Sequence, residues 1–149
     1  MSRWRLLGRR GARPDLPPLA SVPPVAELPE AVLQSGARYL GTTLAGEPDR
    51  RVTSRGLGAR SSTRLSLSAE VLDVVRLAGS FRIPAGCLRG ARHAAAFLGA
   101  EVPDGVLVVT WAHGDQILDT GFHLLGDGEP ARRRGPWVRR LSAMAREPS

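Results

Sequence analysis

From residue 36 onward, apolar residues come in short runs set about ten positions apart and broken by Gly, Pro and polar clusters. Residues 37–44 contain Tyr39 and the paired Thr42 and Thr43, a composition suited to a strand. Residues 64–68 alternate and place Leu65 and Leu67 on one face. Residues 71–77 also alternate, with Val71, Val75 and Leu77 together, and residues 80–83 predict a short strand ended by Pro84. The polar stretch 46–62, with Pro48, Gly56 and Gly58, predicts a mobile loop holding a short strand near Val52. Residues 88–97 fit either helix or strand, and among so many strands residues 90–93 read as strand. The clearest signal is a hairpin. Val106 to Trp111 is a β-branched run, His113, Gly114 and Asp115 make a tight turn, and residues 116–122 return.

The period changes at the C-terminus. Trp137, Val138, Leu141, Met144 and Ala145 fall at i, i+1, i+4, i+7 and i+8, which is one face of a helix. Pro136 suits the first helical turn, where its missing N–H costs nothing. A helix starting as early as Pro130 would instead hold Pro136 inside and be bent by it. Arg139, Arg140 and Arg146 lie toward the C-terminal half, where the helix dipole favours cations.

Residues 1–35 predict a disordered arm. Arg3, Arg5, Arg9, Arg10 and Arg13 surround Trp4, Leu6 and Leu7, and the following stretch contains Pro14, Pro17, Pro18, Pro23, Pro24 and Pro29. Proline fixes φ and removes amide donors, so the arm should be extended and mobile, with one helical turn at most, over 31–34. The chain therefore divides into a basic, Pro-rich arm (1–35), a mainly β domain closed by a helix (36–146) and a short tail (147–149).

Composition adds bounds. A chain of 149 residues supports one domain with a real core. Cys87 is the single cysteine, so no internal disulfide forms, which fits a reducing compartment. The net charge of +7 comes from Arg alone, since the chain has no Lys. The arginines are spread along the chain, as a GC-rich genome would place them. They still predict weak, salt-sensitive attraction to polyanions. No run of 18 apolar residues exists to span a membrane, and the first ten residues lack the apolar stretch of a signal peptide.

The layout of many short strands followed by one amphipathic helix resembles the pleckstrin-homology-like (PH-like) fold, a bent seven-stranded sandwich or open barrel capped by a helix. Local motifs narrow the resemblance. They are Tyr39-Leu40-Gly41-Thr42-Thr43, the segment from Arg55 to Ser61, Ile83-Pro84-Ala85, Leu88-Arg89-Gly90-Ala91-Arg92, and the hairpin from Val108 through His113-Gly114 to Phe122. Together they resemble a family of actinobacterial PH-like domain proteins over residues 36–146. The resemblance implies the fold and no established activity. Members of that family often begin with a transmembrane helix, a basic juxtamembrane stretch and a Pro-rich linker. This chain carries the last two, so residues 1–13 resemble the cytoplasmic flank of a membrane helix encoded upstream.

Candidate sites follow from both readings. In lipid-binding PH domains the loop after the first strand supplies cations to an anionic headgroup. Here that region holds Arg51, Arg55, Arg60 and Arg64, with Gly56 and Gly58 allowing close backbone approach. In the arm, Trp4, Arg5, Arg9 and Arg10 suit a membrane interface. His93, His113 and His123 lack the spacing of a metal site. Cys87 has no neighbouring base, Asp104 and Asp115 read as turn residues, and Asp119 bonds locally. No catalytic site, metal or cofactor is predicted. Nucleic acid ranks third as a ligand, because Arg132, Arg133, Arg134, Arg139 and Arg140 lack aromatic neighbours for stacking. The sequence thus predicts a non-enzymatic interaction module, cytoplasmic and peripheral to the inner membrane face, with a protein partner and a possible anionic membrane surface; direct binding of an anionic lipid or phosphorylated ligand by the Arg-rich loop is the alternative, and an enzyme with an unrecognised site is the third reading.

Overall fold

The computed structural model describes residues 16–146. Among them are eight strands: β1 (Leu33–Leu44), β2 (Glu47–Arg51), β3 (Ser61–Leu67), β4 (Val71–Val75), β5 (Phe81–Pro84), β6 (Leu88–Phe97), β7 (Ala100–His113) and β8 (Gln116–Leu124). One helix, α1 (Pro130–Arg146), follows. Every strand pairing is antiparallel, and neighbours run β5-β4-β3-β1-β8-β7-β6 with β2 on the end of β1.

A flat sheet of that order would hold β5 and β7 far apart. Instead Phe81 of β5 stacks on Trp111 of β7 with ring centroids 5.6 Å apart. The sheet therefore bends back on itself, and its two halves enclose one core. β1 makes the corner. Its first part pairs with β3 and its second with β8, and the β8 register shifts between Tyr39 and Gly41. Tyr39, Leu65, Leu67, Leu72, Val74, Leu107, Val109 and Phe122 point into this core. Each such side chain contributes about 1.5–3 kcal/mol by leaving water. α1 closes the open corner with Trp137, Leu141 and Met144 buried, and Ser142 Oγ donates to the Ala91 carbonyl at 3.2 Å. This is the mainly β, helix-capped architecture expected. The count reaches eight because Glu47–Arg51 folds back onto β1 as a hairpin.

The core is crossed by a directed chain of hydrogen bonds. Trp111 Nε1 can only donate, and it does so to Thr120 Oγ1 at 2.9 Å. The Leu57 carbonyl can only accept, and it takes the Tyr39 hydroxyl at 2.6 Å. Thr120, Thr42 and Tyr39 lie between, at 2.8 and 2.6 Å. The two ends force every proton to point the same way, from Trp111 to Leu57. Burial pushes the Tyr39 hydroxyl up to about 12, against the bond from Thr42 and the charges of Arg76 and Arg51.

Several local expectations change. The face of β4 that enters the core carries Leu72 and Val74, not Val71 and Val75, and Leu77 is wholly exposed at 105% because the strand ends at Val75. An apolar run offers both faces to the core, and here the other face is fixed by Asp73, which Arg82 grips from β5 at 2.6 and 3.1 Å. β6 extends over Leu88–Phe97 as one strand. α1 starts at Pro130, so Pro136 lies inside it and removes the donor owed to the Arg132 carbonyl. Stretch 46–62 is docked, with Val52 and Leu57 fully buried.

The Pro-rich stretch is extended but packed from Leu16 onward. Leu16 is 2% exposed and belongs to the core. Its carbonyl accepts Arg55 Nε at 2.9 Å, and the Ala20 carbonyl accepts the Arg82 amide at 3.0 Å, covering the free edge of β5. The Pro17 carbonyl accepts from His113 Nε2 at 2.8 Å, which fixes that tautomer. The expected boundary at residue 36 falls within β1.

Candidate functional site

The four loop arginines go to different partners. Arg55, in the left-handed region at φ 58°, donates its Nε–H to the Leu16 carbonyl. Arg64 crosses to Gln34 Oε1 at 3.0 Å on the outer face of β3. Arg60 is exposed, and Arg51 ends β2 with its guanidinium over Gly41. The loop they flank is organised from inside by Arg76, which the sequence reading passed over. Arg76 is 6% exposed and lies over the Tyr39 ring at 4.1 Å. It donates to the carbonyls of Gly56, Ala59 and Gly79 at 2.6, 2.9 and 2.7 Å. Burial lowers its pKa. Gly58 is needed for packing, since a Cβ there would meet Thr53 at 3.1 Å. The Gly-rich loop thus turns carbonyls inward to a cation, rather than leaving open space beside its backbone for a phosphate.

A different place gathers charge beside open space. β6 and β7 run on past the sheet, and their tip folds over the outer faces of β1 and β8. Gly41 and Gly121 are register partners there, and their missing side chains form a trough. The tip fills it: a Cβ on Gly121 would lie 2.8 Å from the Phe97 ring, and one on Gly41 2.5 Å from Leu98 Cδ1. Leu98 takes φ 52° to make this turn. Leu40, Val106 and Val108 complete a small second core under the tip, with Phe97, Ala94 and Val102 packed against it.

Between this tip and the β1–β2 hairpin lies a cleft of about 280 Å³. Phe97, Leu98 and Val108 give it an apolar wall, and Thr43, Asp119 and Arg92 a polar floor. The Asp119 side chain is 8% exposed and accepts the Thr110 hydroxyl at 2.5 Å. Arg92, 55% exposed, faces both carboxylate oxygens at 3.5 and 3.4 Å. Those distances exceed the 2.7–2.9 Å usual for a charge-assisted bond. The outer face of β8 signals the site in sequence by one residue, the single acidic side chain of Gln116–Leu124.

A family model described as bacterial PH domain-like matches residues 16–142. The chain belongs to this family. The match begins at Leu16, the first described residue and a member of the core of this PH-like domain. No curated protein matches the chain.

The remaining candidates of this PH-like domain fall as follows. Trp4, Arg5, Arg9 and Arg10 lie outside the described residues. His123 meets Asp104 Oδ2 at 3.3 Å, and His93 sits against Gly105. No group of three or more metal-ligating side chains comes together among the described residues. Arg133 donates to the Gly128 carbonyl and Arg134 to the Asp104 carbonyl, which ties down the start of α1. No described helix is long and apolar enough to cross a membrane.

Proposed function

We propose that this PH-like domain is a non-enzymatic interaction and scaffolding module near the cytoplasmic face of a membrane. Trp4, Arg5, Arg9 and Arg10 have the apolar and cationic chemistry for an anionic surface, and the cleft beside Arg92 and Asp119 receives a partner. The observation that supports this best is the slack at that cleft. Buried polar groups of the Tyr39 chain and the Arg76 loop are held at 2.6–2.9 Å, whereas Arg92 stands 3.4–3.5 Å from Asp119 with its guanidinium half in solvent. Groups committed to structure leave little for a ligand; slack, exposed ones do not.

A second reading is direct recognition of an anionic lipid or phosphorylated ligand by the Arg-rich loop. In its favour, Arg51 and Arg60 are exposed. Co-sedimentation with anionic and neutral liposomes across a salt series separates the two. The full chain is compared with an arm variant (Trp4→Ala with Arg5, Arg9 and Arg10→Gln) and a loop variant (Arg51, Arg60 and Arg64→Gln). Arg55 is kept because it holds Leu16. Loss of binding in the arm variant alone supports the proposal. Loss in the loop variant alone favours the second reading. Absence of anionic-lipid binding by the full chain defeats the membrane placement.

A further inference from the structure

Cross-strand partners share a face of the sheet, so the register fixes what lies side by side. Arg51 pairs with Thr43, Thr43 with Asp119, and Asp119 with Thr110. These four side chains form one file across β2, β1, β8 and β7 on the outer face. Arg92 joins from β6, two rungs away opposite Val108, and reaches back to Asp119 and to Thr110 Oγ1 at 3.4 Å. Arg51 comes from the other side, its Nη1 3.4 Å from where a Cβ of Gly41 would stand, next to Leu98. Its guanidinium lies over β1, while Arg92 reaches toward β8. Those strands are neighbours, spaced about 4.8 Å. Arg92 thus lines the cleft beside one buried carboxylate, and Arg51 lies just outside the lining, beside Leu98 of its wall.

We propose that this cleft binds a carboxylate carried on a short apolar stem. The proposal deepens the interaction-module reading and rests on the cleft, not on the membrane placement. Charge sets the anion. Arg92 and Asp119 balance within the cleft, and Arg51 beside its wall leaves one net positive charge nearby, which a monoanion balances and a dianionic phosphate overshoots beside Asp119. Geometry sets the contact. Asp119 faces the end of the Arg92 fork, Nη1 and Nη2, and Nη1 also faces Thr110, so the Nε–H and the outer Nη2–H remain for an incoming carboxylate. Thr43 adds a hydroxyl in the same file. The wall of Ala94, Ala96, Phe97, Leu98 and Val108 takes the stem. A volume of 280 Å³ equals roughly nine waters, and so holds a ligand of about ten non-hydrogen atoms. Two sources carry this chemistry, the C-terminal residue of a peptide and a free short-chain acid.

The test is an amide-resolved NMR titration of the full chain with N-acetylglycyl-leucine, its C-terminal amide, hexanoate and phenyl phosphate. The acids should bind with a Kd on the order of 1 mM, as expected for so few atoms. They should shift the amides of Thr43, Asp119 and residues 94–99, and the neutral peptide amide should not. Arg92→Met should weaken binding roughly tenfold and Arg51→Met roughly threefold, in keeping with loss of a charge-assisted bond and of a more distant charge. Tighter binding of the peptide acid than of hexanoate assigns the cleft to chain termini, and the reverse assigns it to free acids. Equal binding of the amide, tighter binding of phenyl phosphate, or shifts confined to other surfaces would each overturn the proposal. So would the absence of any shift at tenfold the expected Kd. A negative titration alongside arm-dependent liposome binding removes the carboxylate assignment while the membrane reading stands.

Discussion

Arg76 and Arg92 are both arginines beside a glycine-containing surface, yet they do opposite things. Arg76 meets three fixed carbonyls at 2.6–2.9 Å and an aromatic ring, in a place water barely reaches. Arg92 meets one carboxylate and one hydroxyl at 3.4–3.5 Å from solvent. The first arrangement fixes a loop. The second leaves a cation partly free beside a cavity. The lesson is that a run of arginines and glycines in sequence does not locate an anion site. Donor saturation does, and it depends on which carbonyls the fold turns toward each guanidinium.

That contrast is most directly broken at Arg76. Arg76→Ala should cost about 3–5 kcal/mol in urea unfolding, because three carbonyls lose their buried donor. A loss below about 1 kcal/mol would make the loop self-supporting.

The second effect is alkaline. Tyr39 is the only tyrosine, so tyrosinate absorbance reports it alone. Its folded value is raised from 10 to about 12, so the bound proton favours the fold. The stability tied to it is complete below pH 10 and is lost as pH rises toward 12, at no more than about 1.4 kcal/mol per pH unit. A native titration midpoint near 10, equal to that in denaturant, would contradict the burial of the Tyr39 hydroxyl.

Next comes the trough. Gly121→Ala puts a methyl against the Phe97 ring without any demand on φ, and should cost about 1–3 kcal/mol while displacing the tip. Chemical shifts of residues 94–99 should move more than those of the core. The smallest expected effect is at the slack cation. Arg92→Ala should change stability by no more than about 1 kcal/mol. A larger loss would mean that its bond to Asp119 is structural, and the contrast with Arg76 would disappear.

Much of the fold was legible because its signals are local. Val106 to Trp111 is a β-branched run that returns through Gly114 to Phe122, and Leu65 with Leu67 marks a face without help from elsewhere. Residues 71–77 were harder, because Val71, Leu72, Val74 and Val75 offer both faces apolar positions. The choice rests on Asp73 meeting Arg82, nine residues on. Leu16 was illegible for a related reason, since nothing in a proline-rich neighbourhood announces that one leucine reaches a core built 20 or more residues later. The cleft needed the register itself. Arg51, Thr43 and Asp119 are scattered in sequence and become neighbours only once β2, β1 and β8 are aligned. The Arg-rich loop was visible as composition, but composition does not show that Arg76 has already taken its carbonyls.

The strap from Leu16 to Ala20 has a mechanical consequence. A pull on the chain upstream would load the domain first at the Leu16 side chain, the Leu16 carbonyl on Arg55, and the Pro17 carbonyl on His113. These lie near the turn between β7 and β8, where Pro17 sits against Gly114. An attachment upstream therefore does not leave the domain swinging from the start of β1. It transmits the pull to a defined corner of the domain.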